Sequence, residues 1–230
     1  MTYAPATSTG RTTAGQLATT SRHLYEQGWM PGTAGNLSML LPDQPQRALI
    51  TASGRDKGEL TNQDMVEIDA HTSEPVRTGS QRASAETCIH SALYRTTDAQ
   101  AVIHVHSPYA TVIATRAQHP QHTSLLHLER YELLKGLGLA DPSRTTVPVF
   151  VNWPDVPRIA HNVAAWATAT PGAPPGLLIA DHGITTWGNS LAQARNRLEC
   201  LEAICQLLVL AATPLSTTTT PDTSPTAEHS

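Results

Sequence analysis

The sequence predicts an α/β domain in which helices cover both faces of a mixed sheet. Three observations carry that expectation. Apolar residues make up 40% of the 230-residue chain and charged residues 15%, enough for a core of its own. Short apolar runs of strand length recur between stretches with helical period. The two kinds interleave without the strict rhythm of an all-parallel sheet. Aromatic residues contribute only 4%, so Leu, Ile, Val and Ala must fill the core.

A first helix is expected over residues 14–27, carrying Leu17, Leu24 and Tyr25 and stopping at Gly28. Strands follow at 37–41, 48–52 and 65–69. Residues 84–95 read as a helix, with Ile89, Ala92 and Leu93 at helical spacing and Glu86 in the dipole-favoured first turn. Residues 101–106 form a strand, and Ser107-Pro108 starts a helix to about 116. A short helix at 129–135, a strand at 147–151 and a helix at 156–169 come next. Two strands, 177–180 and 184–187, flank the turn Asp181-His182-Gly183. The last helix, 190–210, sets Leu191, Ala194, Leu198, Leu201, Cys205 and Leu208 on one face. One domain over residues 12–212 accounts for this pattern. Residues 1–11 and the Thr/Ser/Pro-rich 213–230 read as disordered tails.

A net charge of −4 gives no basic footprint, against nucleic acid as a partner yet compatible with a small anionic substrate. Cys88, Cys200 and Cys205 form no CxxC pair and read as free thiols. The N-terminus lacks a signal peptide's apolar stretch, and no run approaches the ~18 apolar residues of a membrane span. A cytoplasmic protein without membrane contact is expected.

The sharpest local signal is Val-Ile-His-Val-His-Ser. Alternate residues of a strand share a face, so His104 and His106 project together and suit one divalent metal. HxH alone reads equally well as a pair of half-exposed strand histidines. His182 follows the apolar run Leu177-Leu178-Ile179-Ala180 and precedes Gly183, so it stands at the tip of a buried strand as the candidate third ligand. Three ligands with an open position is the catalytic zinc pattern. A metal that polarises a carbonyl needs a carboxylate to move the proton, and Glu86 and Glu132 are the candidates. Either alone would read as an exposed helix glutamate. Two glycine-containing loops, Gly32-Thr33-Ala34-Gly35-Asn36 and Thr51-Ala52-Ser53-Gly54-Arg55-Asp56-Lys57-Gly58, could cradle an anion, though each alone is an ordinary turn. Neither has the Walker spacing, which excludes that mode of nucleotide binding.

In order, Gly-Thr-Ala-Gly-Asn-Leu-Ser, Thr-Ala-Ser-Gly, Ser-Ala-Glu-Thr-Cys-Ile-His, His-Val-His-Ser and Asp-His-Gly resemble the class II aldolase/adducin family, from about residue 17 to 208. The resemblance implies a three-layer α/β/α single domain with a mixed, largely antiparallel central sheet, commonly a homotetramer. It implies one Zn2+ per subunit on His104, His106 and His182. Gly54-Arg55-Asp56-Lys57-Gly58, Tyr131-Glu132-Leu133-Leu134-Lys135-Gly136 and the segment from Asp181 to Gly188 look most like the family's dehydratase branch. That branch removes water from a methylthio-substituted pentulose phosphate in methionine salvage. There Glu132 matches the acid/base glutamate. Glu86 matches a glutamate that serves the metal or the proton transfer in related aldolases, where animal dehydratases carry cysteine. Gly35, Asn36, Ser53, Gly54 and Ser84 fall at phosphate-cradling positions, with Lys57 able to compensate for Ala85, where relatives often have serine. The alternative is a class II aldolase or a pentulose-phosphate 4-epimerase.

Overall fold

A computed structural model describes residues 8–77, 79, 81–211 and 214–220. The strands are β1 (Asn36–Leu41), β2 (Gln44–Thr51), β3 (Met65–Asp69), β4 (Ala101–Val105), β5 (Ser124–Glu129), β6 (Arg144–Phe150), β7 (Gly176–Ile179), β8 (Gly183–Gly188) and β9 (Thr217–Thr219). The α-helices are α1 (Ser8–Glu26), α2 (Thr87–Thr96), α3 (Pro108–Ala117), α4 (Val156–Ala169) and α5 (Leu191–Leu210), with a 3-10 helix at Glu132–Leu137. All described strands join one sheet in the order β3-β2-β1-β4-β8-β7-β6-β5-β9. Its pairings are antiparallel except β6 with β7. The mixed, largely antiparallel sheet is as expected.

Alternation along the strands divides the core in two. Ile103 and Val105 of β4 pack with Leu17 of α1, Ile113 of α3 and Leu198 of α5. Val102, on the other face, packs with Ile89 and Leu93 of α2 and Ile159 and Val163 of α4. Both clusters are essentially closed to solvent, so the sheet is the middle of three layers. Ser190 caps α5, its hydroxyl accepting from the Gln193 N–H at 3.1 Å.

The structure departs from the sequence reading in several places: β2 begins at Gln44 and β6 at Arg144, earlier than expected, and α2 at Thr87, later than expected. Helix α1 begins at Ser8, earlier than expected. The short helix expected over 129–135 is a 3-10 helix at Glu132–Leu137, starting later because Glu129 ends β5. β5 was not expected, because Ser-Leu-Leu-His-Leu-Glu alternates only weakly; Ser124, Leu126 and Leu128 nonetheless point inward. In the C-terminal stretch expected to be a disordered tail, β9 pairs with β5, Ser124 opposite Thr219. A sheet edge offers unpaired N–H and C=O groups, and β-branched threonines suit such a ladder without burying anything. The expected tails at 1–7 and 221–230 lie outside the described residues.

Candidate active site

β4 lies between β1 and β8, and the register sets Asn36, His104 and Thr185 in one row across three strands. Directly opposed residues share a face, here the α2/α4 face. His104 is buried, and its Nδ1 meets the Thr185 hydroxyl at 2.9 Å. That bond orients the ring with Nε2 toward the other histidines. His106 lies just past the end of β4, one residue beyond the ladder, its N–H donating to the Trp29 carbonyl at 2.9 Å. Glu202 of α5 secures the next turn. Its carboxylate accepts from the N–H groups of Tyr109 and Ala110 at 2.9 and 2.8 Å, and from the Ser107 hydroxyl at 2.7 Å.

His182 is carried by the β7–β8 turn. Asp181 has φ +54°, a left-handed conformation that Asp tolerates better than most residues. Gly183 lets the turn press onto β4: a Cβ there would stand 2.1 Å from the Val105 carbonyl oxygen. The three imidazoles therefore converge, with ring centroids 4.6–5.1 Å apart and planes at 74–85°.

Glu86 joins them. It precedes α2 as its N-cap residue rather than lying in the first turn as expected, and its side chain does not cap the helix. Its carboxylate Oε1 lies 2.7 Å from His182 Nε2 and 3.6 Å from His104 Nε2, while Oε2 accepts from the Asn36 amide at 2.5 Å. Burial would raise the Glu86 pKa, but His104, His182 and Asn36 outweigh it and hold the group well below the usual carboxylate range. Burial pushes His104 down to about 3 and also lowers His106. Both rings are thus neutral near pH 7, the form that ligates metals.

One ligand atom from each of Glu86, His104, His106 and His182 lies within 4.8 Å of the others. Two buried ring nitrogens, His106 Nε2 and His182 Nδ1, have no hydrogen-bond partner among the described residues. Three nitrogen donors and one carboxylate oxygen, largely shielded from water, fit a divalent metal ion.

A pocket of about 210 Å3 opens beside this group. It is lined by Thr33, Gly35, Asn36, Ser53, Lys57 and Ser84, among others, and by Glu86 and His106 themselves. The two glycine loops expected to bind an anion thus meet next to the histidines. Gly35 needs to be glycine, with φ +77° and a Cβ position 2.9 Å from the His104 carbonyl oxygen. Gly54 does not line this pocket; it is an exposed turn residue with φ +68°. Lys57 is 1% exposed, and its ammonium donates to the carbonyls of Thr33 and Arg55 at 2.8 and 2.9 Å. Burial lowers its pKa, opposed by Asp56 and Glu86.

Glu132 is not brought to the cluster within one chain. Its side chain is 80% exposed on the 3-10 helix beyond β5 and pairs with Lys135 at 2.7 Å. Sequence reasoning missed Thr185 and His90. The alternation Gly183, Thr185, Trp187 along β8 is the signal that could have flagged Thr185, because it matches the alternation of the histidine strand.

Residues 15–209 match the family described as Class II Aldolase and Adducin N-terminal domain. A protein of Nocardia farcinica, named "Probable bifunctional methylthioribose-1-phosphate isomerase/methylthioribulose-1-phosphate dehydratase", is 53% identical over 84% of this chain. The match spans only 35% of that longer protein. The methylthioribulose-1-phosphate dehydratase of Microcystis aeruginosa is 40% identical over 85% of this chain and 94% of its own. Among solved structures, an L-fuculose 1-phosphate aldolase superposes with a TM-score of 0.71 at 27% identity, covering 90% of this chain and 88% of that one. Among the described residues, no helix is long and apolar enough to cross a membrane.

Proposed function

The chain belongs to the class II aldolase and adducin family, and from that premise we propose that it is a lyase that dehydrates 5-methylthioribulose 1-phosphate. The product is 2,3-diketo-5-methylthiopentyl 1-phosphate, in methionine salvage. The observation that carries this reading is the Glu86–His104–His106–His182 group set against a pocket with Asn36, Ser53, Lys57 and Ser84 on its wall. The relatives named for that reaction support the choice of substrate.

His104, His106 and His182 would hold zinc, with Glu86 beside them. The ion would act as a Lewis acid on the C2 carbonyl, making the C3 proton acidic. The backbone N–H groups around Gly35 and the hydroxyls of Ser53 and Ser84, which line the pocket, suit the phosphate. Lys57 carries three donors and spends two on carbonyls, leaving one for a phosphate oxygen. A base removes the C3 proton, an acid protonates the departing C4 hydroxyl, and the resulting enol tautomerises to the diketone.

Glu132 is the acid in this reading. Exposed as it is within one chain, it requires an assembly that presents it to a site, and the homotetramer belongs to the same proposal, as do residues 12–212 as the catalytic unit and the cytoplasm as its location. The runner-up is an aldolase or 4-epimerase working through the same metal. One observation favours it: Glu86, not Glu132, stands among the histidines.

The test is an assay of the zinc-loaded protein with 5-methylthioribulose 1-phosphate, following diketone and enol. Activity should vanish with chelator and return with zinc, and Glu132→Gln should abolish turnover with zinc still bound. Near-normal turnover in that variant would remove Glu132 from the mechanism. Zinc binding without product, and cleavage of a ketose phosphate instead, would establish the aldolase.

A further inference from the structure

Behind the metal group lies a buried polar ladder whose Ser38 and His90 have no part in the reaction. Asn36 and Ser38 are two apart on β1 and share its α2 face. Glu86, His90 and Tyr94 are four apart on or at the start of α2 and share the side facing β1. The rungs match. Asn36 donates to Glu86, the Ser38 hydroxyl meets His90 Nδ1 at 2.7 Å, and the same hydroxyl meets Tyr94 Oη at 2.6 Å. Ser38 and His90 are fully buried and Tyr94 is nearly so.

Burial raises the Tyr94 pKa, so the phenol keeps its proton and can donate it to Ser38. Ser38 Oγ and His90 Nδ1 share the next hydrogen bond, its donor set by the histidine tautomer. Burial keeps the imidazole neutral, and its Nε2 has no hydrogen-bond partner among the described residues. A buried imidazole and a buried phenol are costly to desolvate where apolar side chains would pack as well. What they add over such side chains is direction: two hydrogen bonds converging on one hydroxyl allow one register between helix and strand.

We propose that His90 is a positioning residue: with Ser38 it braces α2 on β1 and so sets where the Glu86 carboxylate stands beside His104 and His182. Glu86 needs such a brace because it stands outside the helical ladder, as an N-cap residue with no capping bond of its own. Behind it, the Asn36 amide holds the carboxylate, the Ser84 hydroxyl accepts from the Glu86 N–H at 3.3 Å, and the Ser38–His90 contact ties the next turn of α2 to β1. The inference rests on the metal-dependent reading of the site.

The experiment measures Co2+ affinity by chelator competition, with the visible spectrum of the bound ion as a reporter of ligand geometry. Wild type is compared with His90→Leu, His90→Asn and Ser38→Ala, each checked for folding by urea unfolding. Leucine fills the space without a polar atom, whereas the asparagine amide can still meet Ser38. We expect His90→Leu to bind Co2+ at least about 10-fold more weakly with a changed spectrum, the usual effect of losing an outer-shell partner. His90→Asn should recover to within about 3-fold, and kcat should fall with affinity while KM hardly moves. Wild-type affinity and spectrum in His90→Leu would overturn the proposal, as would an asparagine variant as impaired as the leucine one. If the leucine variant does not fold, Ser38→Ala decides: a similar loss supports the brace and wild-type affinity overturns it. Failure of the wild type itself to bind Co2+ would instead refute the metal reading of the site.

Discussion

Acid should weaken the folded protein through His90. Burial drives its pKa from 6.5 down to about 4, partly opposed by Glu86. Between those values the folded ring is neutral while the unfolded ring takes up a proton. The unfolded state therefore binds more protons in that window, and stability rises with pH across it. The contribution is complete above pH 6.5 and is lost as pH falls toward 4. Lowering the pH from 7.5 to 5.0 should cost about 2 kcal/mol from this one group, and about 3 kcal/mol once both states are protonated. Asparagine at the same place can keep a bond to Ser38 but does not titrate. The assay is urea unfolding of chelator-treated wild type and His90→Asn at pH 7.5 and 5.0. Every other titrating group is common to both, so the difference isolates the ring. Wild type should lose about 2 kcal/mol more than the variant over that interval. Equal acid sensitivity in the two proteins would refute the reasoning, and with it the picture of a neutral imidazole sealed under α2.

Other perturbations follow from single contacts. Thr185→Val keeps the shape of the side chain but removes the hydroxyl 2.9 Å from His104 Nδ1; metal affinity by chelator competition should fall about 10–100-fold, and an undiminished value would mean the hydroxyl does not orient the ring. Gly183→Ala would put a Cβ 2.1 Å from the Val105 carbonyl, where both sides are backbone. It should lower the urea-unfolding free energy by about 1–3 kcal/mol, and a stable variant with intact metal binding would show that the β7–β8 turn can move. Glu202→Ala would leave two backbone N–H groups and the Ser107 hydroxyl without their acceptor; a loss of about 2–4 kcal/mol is expected in the same assay, and no loss would mean that water replaces the carboxylate freely.

The boundaries of the strands near the site were legible because apolar runs there end sharply. The strand expected over 65–69 coincides with β3, and those expected over 37–41, 101–106 and 177–180 differ from β1, β4 and β7 by a residue at one or both ends. His104 and His106 could be placed on one face because strand alternation is a local rule. His182 could be placed at a strand tip because the run before it is apolar and the residue after it is glycine. β5 and β9 were not legible. The first alternates weakly, and the second is three threonines whose order comes from pairing at an edge.

The sequence by itself determined the layered α/β class, the residue types of the donor set and the two glycine loops, because periodicity, turn chemistry and ligand type are properties of neighbouring residues. Only the tertiary structure decided which carboxylate serves the histidines. Glu86 and His182 are far apart in the chain and meet because β4 lies between β1 and β8 while α2 packs across that face. Glu132, in an equally promising local setting, was left outside on the 3-10 helix beyond β5. Such a choice depends on strand order and register, which no local window of sequence contains.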